Sequence, residues 1–415
     1  MPKKPTLIEP IDTSFDNLAK ISVMSSKTEQ KAERNPMNNY RTYSSKGIEN
    51  LSFLKVVDDN TSQEHFHILP KREYTSIELF AGAGGLALGL EKAGIKHALL
   101  NELDKHACNT LRVNRPNWNV VEGDVSNIDF NSWKNKIDIV TGGFPCQTFS
   151  YAGKKLGFND TRGTMFYEFA RCVKETQPQI CIGENVRGLL NHDGGRTLES
   201  MVEVLEELGY NVIKPQILRA VNYKVPQKRE RLIIVGIKRN SDIKFEYPKP
   251  HPKLYSLKDA LKAGELFPTD VPITNGQTYP KRKREILDMV PKGGYWRDLP
   301  LKVQKEYMLK SFYLGGGRTG MARRMSWDEP SLTLTCAPAQ KQTERCHPDE
   351  TRPFQVREYA RIQTFPDDWS FEGSMTNQYK QIGNAVPVNL AYYIGQAVVK
   401  ALNKKEDRQP PTLKR

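Results

Sequence analysis

The chain has 415 residues, 27% charged and 38% hydrophobic, enough for two or three structural units with a real core. No apolar run approaches the ~20 residues a membrane helix needs, Met1-Pro2-Lys3-Lys4-Pro5 lacks the apolar core of a secretion signal, and a reducing cytoplasm is expected. Six cysteines without a CxxC pair argue against a disulfide scaffold and against a metal site, and a net charge of +14 fits a polyanionic partner.

Residues 1–74 are polar and lack sustained periodicity, so a partly mobile extension is expected there. A strand over 75–80 then leads through Ala81-Gly82-Ala83-Gly84-Gly85 into a helix over 86–92. That order lets a backbone approach a cofactor at a helix N-terminus, although a tight turn without ligand has the same pattern. A second strand, 97–100, ends in Asn101-Glu102-Leu103-Asp104, where Glu102 is placed to accept both ribose hydroxyls of an adenosine. A third, near Val120 and Val121, ends in Gly123-Asp124-Val125, with Asp124 suited to an adenine amino group and Val125 to the ring face. Two acids at successive strand ends, without a lysine-bearing phosphate loop, favour an adenosine lacking phosphates over ATP.

The apolar run 137–140 reads as a buried parallel strand closed by Gly142 and Gly143, with Pro145 fixing φ just before Cys146 and Gln147. A cysteine at the carboxyl end of such a strand lies where open α/β sheets bind ligands. Taken alone it is more often a small buried hydrophobe. Asp160-Thr161-Arg162-Gly163 precedes a helix over 164–174, and a strand over 180–182 delivers Glu184. A helix over 198–208 and strands over 212–218 and 232–237 complete an alternating α/β body. Between those strands Arg229 and Arg231 share one face of an extended segment, placed to grip a phosphate or base oxygen, or to form surface ion pairs. From about 238 to 352 prolines and glycine loops mark an irregular module holding Arg318, Arg323 and Arg324, and a last amphipathic helix is expected over 390–402.

In this order the motifs resemble those of the cytosine-C5 DNA methyltransferases. They are Phe80-Ala81-Gly82-x-Gly84-Gly85, Asn101-Glu102, Gly123-Asp124, Gly143-Phe144-Pro145-Cys146-Gln147, Glu184-Asn185-Val186, Gln227-Lys228-Arg229-Glu230-Arg231, Arg357-Glu358-x-Ala360-Arg361-Ile362 and Gly383-Asn384-Ala385-Val386-Pro387. The resemblance covers roughly 76–400, apart from the module at 240–350. It implies an α/β fold: a doubly wound, Rossmann-like methyltransferase domain with a second, smaller, loop-rich target-recognition domain. The implied division is an extension at 1–74, a catalytic and cofactor-binding domain at 75–240, a target-recognition domain at 241–352, a connecting segment at 353–376, a return to the catalytic domain at 377–403, and a tail at 404–415.

The resemblance further implies S-adenosylmethionine as cofactor, double-stranded DNA as substrate, a monomer in the prokaryotic cytosol, and no membrane or metal. It leaves open a cognate restriction endonuclease acting on the same site. The cofactor is expected against Phe80, Gly82, Gly84, Gly85, Glu102, Leu103, Asp124, Val125, Pro145 and Asn384, with Asn384 also anchoring the Cys146 loop and the Arg229 segment. Leu103 departs from the family, where many members stack an aromatic on adenine. Cys146, Glu184, Arg229 and Arg231 are the expected catalytic group. Gln147, Arg162, Arg318, Arg323 and Arg324 are expected at the DNA, the last three suited to guanine.

Chemistry explains the set. C5 of cytosine is a poor nucleophile until a thiolate adds at C6, the step assigned to Cys146. Glu184 is expected to bond N3 and the exocyclic amine, holding or sharing a proton as it does so. The base must first leave its stack, at a cost of a few kcal/mol. Three rivals share parts of this pattern: a nicotinamide-dependent dehydrogenase, an inactive DNA-binding protein, and an RNA-methylating enzyme of the same family.

Overall fold

Apolar β-branched runs separated by glycine turns and amphipathic helices build a central sheet. The computed structural model describes residues 67–145, 164–314 and 318–407. The expectations for Cys146, Gln147 and Arg162 therefore lie outside the described residues, as do those for residues 1–66 and 408–415. The elements of the first half are β1 (Tyr74–Leu79), α1 (Gly85–Lys92), β2 (Ile95–Glu102), α2 (Lys105–Asn114), β3 (Val120–Glu122), β4 (Ile139–Gly142), α3 (Met165–Thr176), β5 (Ile180–Val186), α4 (Arg196–Glu207), β6 (Tyr210–Arg219), β7 (Gln227–Lys228) and β8 (Glu230–Lys238). The sheet runs β3-β2-β1-β4-β5-β8-β6. β1 to β5 are mutually parallel, and β8 lies antiparallel between β5 and β6.

Helix α2 was not among the expected elements. Its sequence is mostly polar, so periodicity hides it, and its start is set by Asp104, whose side chain accepts from the His106 and Ala107 backbone N–H groups at 2.9 and 3.4 Å. Beyond β8 come α5 (Leu257–Leu261), α6 (Lys281–Asp288), α7 (Leu301–Met308), β9 (Ser331–Leu332), α8 (Val356–Ile362), α9 (Met375–Asn384) and α10 (Val388–Glu406). α10 returns to pack on α1, with Leu86 and Leu90 meeting Leu390, Ile394 and Val398 on one face of the sheet. Glycine permits that approach: a Cβ at Gly89 would sit 2.3 Å from the Ala391 Cβ, and one at Gly85 only 2.2 Å from the Val386 carbonyl.

On the opposite face Phe166, Phe169, Leu198, Met201 and Val204 cover Ile77, Val140 and Leu232. A separate cluster, including Tyr279, Ile286, Leu287, Trp296, Tyr307, Met321 and Cys346, forms the smaller core of the loop-rich module. Among the described residues no helix is long and apolar enough to cross a membrane, and no group of three or more metal-ligating side chains occurs.

Candidate active site

Because β1 to β5 are parallel, the loops after them emerge on one edge of the sheet, bringing Phe80, Glu102, Asp124 and Pro145 together there with Glu184 near the end of β5. The loop after β1 is left-handed at Phe80 (φ 59°), Gly82 (φ 54°) and Gly84 (φ 84°). For Phe80 that conformation is strained by about 1 kcal/mol or more, a cost commonly met at ligand sites. Glu102 holds the loop in place: its Oε2 accepts from Gly82 N at 2.8 Å, and its Oε1 from Leu103 N (2.9 Å) and Asp104 N (2.8 Å). A carboxylate has about four acceptor directions, and three backbone N–H groups occupy those of Glu102 that fix the loop, leaving it acceptor capacity at the sheet edge.

The glycines divide in role. At Gly82 an added Cβ would meet nothing, leaving open space over the backbone, whereas at Gly84 it would lie 2.7 Å from the Leu111 side chain. Gly84 and Gly85 are thus small for packing as well as lying in the loop expected at the cofactor. Asp124 is exposed and its Oδ1 accepts from Ser126 N at 2.9 Å, an interaction that holds its carboxyl below the ordinary value. Val125 beside it is buried, and Leu103 is 71% exposed, an apolar side chain on the rim of the same edge. An open backbone loop, spare acceptor capacity on two acids and an exposed apolar side chain fit an adenosine.

The stem of the Cys146 loop is held from below. Phe144 packs against Phe166 and Phe169, ring centroids 5.3 and 5.4 Å apart, and over Gly183, where a Cβ would meet its ring at 3.2 Å. Asn185 Nδ2 donates to the Phe144 carbonyl at 2.7 Å. Glu184 lies beside this stem, its Oε2 only 3.1 Å from where a Cβ on Gly143 would be. Its Oε1 pairs with Arg231 Nε at 2.6 Å, both side chains about 10% exposed. Asn185 is thus a positioning residue, a role that the motif Glu184-Asn185-Val186 alone does not reveal.

Arg229 differs from expectation. It is 2% exposed, and its two Nη groups donate to the carbonyls of Leu334 (3.2 Å) and Gly383 (2.9 Å). Burial, with Arg231 adjacent, presses its pKa well down. It therefore fastens chain segments instead of gripping a phosphate. Buried amides continue that fastening: Gln227 Nε2 donates to Gln363 Oε1 (2.7 Å) and Gln363 Nε2 to the Ile382 carbonyl (2.7 Å), while Gln227 Oε1 accepts from Leu334 N (3.0 Å). Asn384 is exposed at the end of α9, its Oδ1 accepting from Cys336 Sγ at 3.0 Å.

The three arginines expected at DNA part company. Arg318, left-handed at φ 43°, donates to the carbonyls of Ser311 (2.9 Å) and Leu314 (2.7 Å). Arg324 is buried and donates to the carbonyls of Leu287 (2.7 Å), Val290 (2.8 Å), His347 (3.2 Å) and Pro348 (3.4 Å) and to Thr351 Oγ1 (2.7 Å). That corrects its assignment as a base reader: its donors are already occupied inside the fold. Arg323 has neither arrangement.

Residues 74–400 match a family model described as C-5 cytosine-specific DNA methylase. The chain is 62% identical over 379 residues to the type II methyltransferase M.Eco47II of Escherichia coli, covering 91% of each chain. It is 53% identical over 341 residues to the type II methyltransferase M.Sau96I of Staphylococcus aureus, covering 81% of this chain and 78% of that one. In fold it is similar to a Spodoptera frugiperda DNMT2 mutant, with a TM-score of 0.57 at 16% identity, covering 79% of this chain and 99% of the other.

Proposed function

The chain belongs to the C-5 cytosine-specific DNA methylase family, and from that premise we propose that it methylates C5 of a flipped-out cytosine in a specific duplex sequence, using S-adenosylmethionine and a transient bond from Cys146 to C6. The observation that carries the reading is Glu184, paired with Arg231 at 2.6 Å and lying against the stem of the Cys146 loop. The designation of its relatives as type II methyltransferases supports a place in a restriction–modification system, protecting host DNA.

Phe80, Gly82, Leu103 and Asp124 would hold S-adenosylmethionine, which would supply an electrophilic methyl group and, as its methyl–sulfur bond breaks, leave as the neutral thioether. Cys146 adds to C6 as the thiolate, and the ring electrons move onto C5. Glu184, oriented by Arg231, bonds N3 and the exocyclic amine and holds the proton that offsets the growing charge. C5 takes the methyl group, its proton leaves to water, and the released electron pair re-forms the double bond and expels the Cys146 sulfur. The other thiols suit this work poorly: burial pushes Cys108 and Cys181 up to about 12, Cys346 up to about 11, and Cys172 and Cys336 up as well.

A duplex carrying 5-fluorocytosine tests the covalent step, because fluorine at C5 cannot leave as a proton does. The wild type is expected to give a complex that survives denaturing gels, and Cys146→Ser none. Methyl transfer by Cys146→Ser at the wild-type rate would overturn the mechanism.

A further inference from the structure

Six arginines of the described chain are almost fully enclosed: Arg229, Arg231, Arg323, Arg324, Arg345 and Arg361. Five have protein acceptors. Arg229 and Arg324 bond backbone carbonyls, Arg231 pairs with Glu184, Arg345 donates to the Thr333 carbonyl, and Arg361 pairs with Asp367. Arg323, at 8% exposure, has none among the described residues; its Nε is sealed from solvent without a partner. Its guanidinium carbon lies over the Tyr295 ring, 6.0 Å from the centroid.

A guanidinium stays charged at any working pH, and sealing its Nε from solvent without an acceptor is unfavourable unless a ligand supplies one. The backbone beneath Arg323 is fixed on both sides. Ala322, left-handed at φ 45°, donates its N–H to Glu344 Oε2 at 2.6 Å, and the Arg323 carbonyl accepts from Cys346 N at 3.0 Å. A planar donor fork on a fixed backbone is thus held ready in the loop-rich module.

We propose that Arg323 is a specificity-determining residue whose missing acceptors are O6 and N7 of a guanine in the recognised duplex. This rests on the reading of the protein as a DNA methyltransferase. Those two atoms match the spacing of a guanidinium fork. Phosphates need no enclosed, fixed donor, and the exposed Lys281, Lys302, Lys305 and Lys310 of the same module serve them with flexible, solvated charge.

The test uses the full chain with Arg323 intact, as Arg323→Lys and as Arg323→Met, methylating a randomised duplex library read by bisulfite sequencing. Melting curves are recorded in parallel. Both variants are expected to melt near the wild type, since the Arg323 side chain has no hydrogen-bond acceptor among the described residues and its backbone bond to Cys346 is kept. Methylation of the preferred sequence should fall roughly 5- to 150-fold, and guanine at one position of the methylated context should become optional. Equal loss on every sequence with a shallower salt dependence would mark a phosphate contact and overturn the proposal. So would an unchanged preference, or unfolding of both variants. A wild type that methylates no duplex would overturn the functional reading, and this inference with it.

Discussion

Replacing Glu78 by glutamine should stabilise the protein, and more so as pH rises. Glu78 lies on β1 at 1% exposure, accepting from the Thr141 hydroxyl at 3.4 Å and from the Ala87 N–H in the first turn of α1. That turn has no side-chain cap of its own because its N-cap is Gly84. Among the described residues no cation offsets the charge of Glu78; burial, with a smaller repulsion from Glu184, pushes its carboxyl from the ordinary 4.5 up to about 8. The unfolded chain releases this proton near pH 4.5 and the folded one near 8, so between those values folding takes up a proton. Stability is then lost with rising pH at about 1.4 kcal/mol per pH unit, with no penalty below the unfolded value and the full penalty above the folded one. At neutral pH the penalty is roughly 3 kcal/mol. Glutamine keeps a neutral acceptor of the same shape and removes the titration. Urea midpoints of wild type and Glu78→Gln should diverge by about 3 kcal/mol between pH 5 and 8, other groups cancelling in the difference. A gap that stays constant with pH would refute the reasoning.

Gly85→Ala would drive a Cβ to 2.2 Å from the Val386 carbonyl, so α1 must part from α10. We expect a loss near the upper end of the ~1–3 kcal/mol typical of overpacking, read as a lower melting temperature, with weaker S-adenosylmethionine binding in calorimetry. Arg324→Met strips the partner from four carbonyls and Thr351. A loss of about 3–5 kcal/mol is expected, seen as faster hydrogen exchange over 279–351 and distinct from the near-neutral melting of Arg323→Met.

Much of the molecule was legible along the chain. The alternation of apolar strands and helices, the glycine turns and the order of short motifs located the strand ends that carry Glu102, Asp124 and Glu184, because a period of two or 3.6 residues and a turn residue are local properties. Even there the antiparallel insertion of β8 between β5 and β6 was hidden, since strand order depends on contacts far apart in sequence. Helix α2 escaped for the opposite reason: capping by Asp104 and packing of Ala107, Cys108 and Leu111 outweigh a weak apolar pattern. Arginine roles were the least legible. Arg229, Arg323 and Arg324 are chemically identical in the sequence, and what separates them is whether a carbonyl from residues as distant as Gly383 or Leu287 reaches the guanidinium. Residue types and spacing therefore determine which chemistry this chain carries, while the fold alone decides which charged groups remain unpaired, because only packing brings acceptors to a donor or leaves it waiting for one.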